Sequence, residues 1–177
     1  MHLSHYYFAV GGENFDARQF SEAANIEGSR FFTTSTTKPY KTDDGLVVNK
    51  IMWSGVTGTL GSSFQTWQTP PVIYMRSRSA YLKCENLGFS EDFLQLWLRE
   101  EESILTFLDD LEKRLPKVSN YCVGPNFLIL KLVYGRLEQE LASGGHHYSE
   151  KLIGSLAKLG ANLSTDSVYW PPEFLVD

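Results

Sequence analysis

The chain is poor in cysteine, with only Cys84 and Cys122 in 177 residues. Their spacing fits neither a metal ribbon nor a redox pair, so a disulfide framework and a Cys-based zinc site are excluded. Both read as reduced, small apolar residues in or beside strands. No stretch approaches the ~18 uninterrupted apolar residues of a membrane-spanning helix. The start, Met1-His2-Leu3-Ser4-His5, lacks the basic and apolar segments of a signal peptide. A cytoplasmic protein without a membrane partner is the expectation. Positive charge is also short: 16 Lys and Arg stand against 21 Asp and Glu, for a net charge of −5. That balance repels a phosphate backbone and attracts a basic partner. Arg76-Ser77-Arg78 is too short a patch to reverse it, so no nucleic-acid partner is expected. Aromatics are plentiful, with 4 Trp, 9 Tyr and 11 Phe making up 14% of the chain. Core packing cannot be assumed to use all of them, and a partner-facing aromatic patch follows as a candidate.

The length points to a single domain over residues 1–177, able to fold without a disulfide or metal staple. His5 to Val10 reads as an opening strand closed by a turn at Gly11-Gly12. Asp16 caps a helix carrying Phe20, Ala23 and Ala24 on one face, ended by Gly28. Thr33 to Thr37, Pro39 and Asp43-Asp44-Gly45 read as a long loop. Leu46–Trp53, Val72–Met75 and Ala80–Cys84 look like strands, with a glycine-rich and aromatic connection over Gly55–Pro71.

Ser90 opens the strongest helical pattern, with Glu91 and Asp92 in its first turn. Ile104, Leu108, Leu111 and Leu115 sustain one apolar face, and Pro116 stops the helix. One unbroken helix would put Glu100 and Glu101 on that stripe, and a buried acid pair is costly. A kink or break near Arg99–Glu102 is therefore favoured over a functional buried acid. Val118–Val123 and Phe127–Tyr134 read as strands around Gly124-Pro125-Asn126, and Gly135–His147 as a loop. Ser149 caps a last helix with Leu152, Ile153, Leu156 and Leu159, ended by Gly160. Asn162–Tyr169 is the closing strand. Strands and helices mix without a regular βαβ alternation, which predicts an α+β domain: a mostly antiparallel sheet with helices packed on one face. Leu108, Leu111, Leu152 and Leu156 are its expected core.

Two segments carry a resemblance. One is Tyr7-Phe8-Ala9-Val10-Gly11-Gly12-Glu13-Asn14-Phe15-Asp16 with Ile26-Glu27-Gly28-Ser29-Arg30. The other runs from Ser149-Glu150-Lys151-Leu152-Ile153 to Leu159-Gly160-Ala161-Asn162-Leu163-Ser164-Thr165-Asp166-Ser167-Val168-Tyr169. They resemble a family of small bacterial α+β proteins known only as a domain of unknown function, with a closing helix, a Leu-Gly turn and an Asp-x-x-Tyr strand. Residues 33–71 have no counterpart in that family, so the resemblance implies a loop insertion there. It implies no catalytic residues. Such families often occur among toxin–immunity proteins, an analogy that implies a binding role.

Candidate sites each carry a plainer alternative. Gly55-x-x-Gly58-x-x-Gly61 with Ser62-Ser63 evokes a phosphate loop, but no lysine follows, so a hairpin loop is favoured. His146-His147 offers imidazoles, yet neighbours on a strand point to opposite faces and nothing completes a ligand set. No metal and no cofactor are expected. A Gly-x-Ser-x-Gly elbow is lacking, and Cys122 sits in strand-like company. Asp166 reads as a turn cap or a lysine partner.

The best charge feature is Glu100-Glu101-Glu102 with Asp109-Asp110 behind it. It is either the solvated back of a helix or a surface that meets a basic protein. Trp67 is either its aromatic anchor or a residue tucked onto the core. Without a catalytic constellation, the chain reads as a non-enzymatic protein-binding protein. It would be of the immunity type, neutralising a bacterial toxin by occluding its active site. The alternative is a small-molecule enzyme or sensor with its site under the Gly55–Pro71 region.

Overall fold

The central strand β1 (His2–Glu13) runs through Gly11 and Gly12 instead of turning there. The glycines serve close approach: a Cβ on Gly11 would lie 2.5 Å from Phe127 Cζ, and one on Gly12 2.8 Å from Cys122 Sγ. The computed structural model describes residues 2–35, 40–41, 47–48, 52–53, 56–57, 63–73, 91–136 and 148–169. After β1 come α1 (Ala17–Ala24), β2 (Arg30–Ser35), β3 (Tyr40–Lys41), β4 (Val47–Val48), β5 (Met52–Trp53) and β6 (Val56–Thr57). Then follow β7 (Ser63–Gln68), β8 (Val72–Ile73), α2 (Glu91–Arg114), β9 (Asn126–Arg136), α3 (Glu150–Leu159) and β10 (Asn162–Tyr169).

The fold is α+β. Its main sheet has six strands, is mixed but mostly antiparallel, and runs β10-β9-β1-β7-β2, with β8 also paired to β1. β3–β4 and β5–β6 form separate two-stranded pairs. Contacts divide the chain into two compact units, one from residues 1–7, 71–113 and 130–177, the other from 8–70 and 114–129.

In the second unit, β7 pairs antiparallel with β1 (Val10 opposite Trp67) and with β2 (Phe31 opposite Trp67). Residues 63–68 and 33–35 are thus in sheet strands where the local composition suggests loop. The pairing partners, distant in sequence, override the polar Ser, Thr and Gln content. Phe20 of α1 is the hub of this core, stacking edge-to-face on Phe15, Trp67 and Tyr121 at centroid distances of 5.2, 5.1 and 5.5 Å. Asp16 caps α1 by accepting from the Gln19 N–H at 2.9 Å, and Asn25 closes it in the left-handed region. Residues 118–120 form a 3-10 turn, not a strand. Local bonds from the amides of Asn120 and Tyr121 to the carbonyls of Lys117 and Val118 close it.

In the first unit, α2 is one continuous helix of 24 residues, with no break at Arg99–Glu102. Glutamate is a good helix former, and the stripe Ile104, Leu108, Leu111 holds the register while carrying the two acids inward. Leu152 and Leu156 of α3 are buried, as their spacing of four predicts. Tyr6 packs edge-to-face on Phe107 at 5.3 Å and its hydroxyl pairs with Ser103 Oγ at 2.7 Å. Cys84, the Gly55-Gly58-Gly61 glycines, Arg76-Ser77-Arg78, the expected strand at Ala80–Cys84 and His146-His147 lie outside the described residues.

Candidate functional site

Of the six residues singled out as a binding surface, three are buried. Glu100 and Glu101 are only 4% and 9% exposed. They belong to the interior because an unbroken α2 places them on the same stripe as Ile104. Trp67 is 0% exposed, sealed in β7 against Phe20. Its ring is not at the surface, and it is buried as the alternative of a residue tucked onto the core expects. Glu102, Asp109 and Asp110 do lie exposed on α2. The acidic surface is thus narrower than the run of five acids suggests.

The buried acids line a small cavity of about 10 Å³, together with Leu3, Ile104, Tyr134, Tyr148 and Leu152. Glu101 Oε2 accepts from the Ser149 N–H at 3.2 Å, tying α2 to the start of α3. The Leu3 N–H donates to the Glu100 carboxyl, while Glu100 Oε1 is buried with no hydrogen-bond partner. Burial pushes Glu100 up to about 8, well above the carboxylate range, against the opposing pull of the Leu3 amide. Tyr134 and Tyr148 interact through their hydroxyls, and burial raises both. The cavity has room for one water and no substrate.

A larger, open cleft of about 500 Å³ lies in the second unit, lined by Asn14, Phe15, Asp16, Arg18, Phe31, Thr33 and Gln65. Two of its polar groups are committed to structure. Asp16 caps α1, and Gln65 Oε1 accepts from the Ala17 N–H at 3.1 Å. Arg18, Phe31 and Thr33 are exposed. Beside the cleft, Phe31 and Phe32 are 45% and 49% exposed on β2. Neighbouring strand residues point to opposite faces, so both faces of β2 present an aromatic ring. β2 ends the strand order, and among the described residues it pairs with β7 alone. This edge escaped the sequence reading. Its signal was two adjacent aromatics ahead of a threonine run, a pair that cannot both face a single-sided core.

Two other candidates have structural roles. Cys122 is buried, and its Sγ lies 3.4 Å from the carbonyl oxygens of Glu13 and Gly124. Burial pushes its thiol up, away from the reactive thiolate. Asp166 forms an ion pair with Lys131 at 2.8 Å, as the lysine-partner reading expects, and Lys131 also donates to Ser164 Oγ at 3.0 Å.

No family model matches the chain, and comparison with curated proteins and with solved structures finds no match either.

Proposed function

We propose that the chain is a non-enzymatic protein-binding protein that takes an extended segment of its partner at the edge of β2. One observation carries the reading: an edge strand with no second neighbour among the described residues bears two exposed phenylalanines. An unpaired edge offers backbone donors and acceptors for strand addition, and its side chains supply affinity and selectivity. A partner strand would cover the phenylalanines and satisfy the backbone in one step. The net charge of −5 and the exposed Glu102, Asp109 and Asp110 suit a basic partner. Neutralisation of a bacterial toxin, in the immunity-type manner implied by the resemblance, is the form of binding these features fit.

The test is binding to the product of the adjacent gene, measured by calorimetry for the wild type and a Phe31→Ser, Phe32→Ser variant. Loss of binding with an unchanged melting temperature supports the reading. Equal affinity overturns it. A second reading, small-molecule binding, is favoured by the open cleft of about 500 Å³. Saturable binding of a small metabolite that Arg18→Ala abolishes, with no partner protein, would establish it.

A further inference from the structure

The cavity between α2, β9 and the start of α3 holds a feature that protein binding at β2 does not use. Glu100 is buried, one of its oxygens lacks a hydrogen-bond partner, and the residue lines a space of about the size of one water. A buried carboxylate without a cation beside it is strongly disfavoured, whereas a neutral carboxyl needs only an acceptor for its proton. The groups facing it are few. β1 contributes the Leu3 N–H and the amino terminus supplies a lesser favourable charge. α2 contributes Glu101, β9 contributes Tyr134, and Tyr148 precedes α3. None of these side chains is basic.

We propose that Glu100 is a proton latch: its neutral carboxyl lets Leu3, α2 and the start of α3 close over the cavity, and its ionisation loosens that closure. The loosening falls on the segment Tyr148–Leu152. This segment is held by the Ser149 N–H on Glu101 Oε2 and by the Leu152 N–H on Ser149 Oγ at 3.2 Å. A charge on the buried Glu100 carries a desolvation cost, and admitting water relieves it. The sign follows from linkage. The closed state holds its proton up to about pH 8, whereas an open, hydrated carboxyl releases it near 4.5. Closure is therefore strongest at or below the lower value, weakens as pH rises between the two, and levels off above the upper one.

The experiment follows the carboxyl carbons of ¹³C-glutamate-labelled full-length protein by NMR as a function of pH. The Glu100 signal is assigned by its loss in Glu100→Gln. Hydrogen exchange at the Ser149 and Leu152 amides is measured on the same samples and corrected for intrinsic rate. A Glu100 midpoint above 6.5 is expected, with protection at the two amides falling roughly tenfold per pH unit between 5 and 8. In Glu100→Gln that pH dependence should vanish. A midpoint in the ordinary carboxylate range overturns the latch, as does an unchanged exchange profile in the variant. If the variant does not fold, assignment through neighbouring backbone resonances keeps the wild-type midpoint decisive.

Discussion

Trp67 and Phe32 show how little residue type alone says about role. Both are aromatic and both lie on neighbouring strands of one sheet, yet one is sealed in the core and the other is about half exposed. Replacing Trp67 by Ala removes the ring that packs on Phe20 and should cost about 3–5 kcal/mol, read as a lowered denaturant midpoint. Replacing Phe32 by Ala should change stability by no more than about 0.5 kcal/mol. Comparable losses at both sites would show that the exposed ring is held by packing after all. Glu100 makes the same point for charge. The sequence showed that an unbroken helix would bury it. It could not show that a Leu3 N–H reaches Glu100 and a Ser149 N–H reaches Glu101, because both donors are far away in sequence.

At the scale of elements, legibility followed how locally each was specified. The limits of α3 were readable because its signals are adjacent. Ser149 accepts from the Leu152 N–H, Glu150 lies in the first turn, and Gly160 adopts φ +64°. Ser149→Ala should cost about 1 kcal/mol through the lost cap. Circular dichroism melts will check this, and a loss near zero would mean that the Ser149 N–H bond to Glu101 alone sets the helix start. β7 and β2 were not readable. Their Thr, Ser and Gln content resembles loop, and only pairing with β1 and with each other makes them strands. Residues 118–123 failed in the opposite direction. β-branched and aromatic types suggested a strand, but among the described residues no strand pairs with them, and two local turn bonds fix residues 118–121 instead. Gly11-Gly12 suggested a turn because the packing of Phe127 and Cys122 that requires glycine there is not visible locally.

For the whole molecule, the net charge of −5 predicts how a partner arrives, and β2 predicts where it stays. Charge steers encounter at a distance and need not lie in the contact itself. Reversing Glu102 and Asp109 to lysine should therefore slow association and flatten its dependence on salt, with little change in dissociation. Stopped-flow measurements at two ionic strengths will show this, and an unchanged association rate would reduce these acids to solvated surface. The most direct test of strand addition is hydrogen exchange of the backbone amides of Arg30–Ser35, free and in complex with the basic partner. Strand addition at the edge predicts new protection concentrated in β2. Unchanged exchange across β2, with protection appearing elsewhere in the chain, would contradict the proposed binding site.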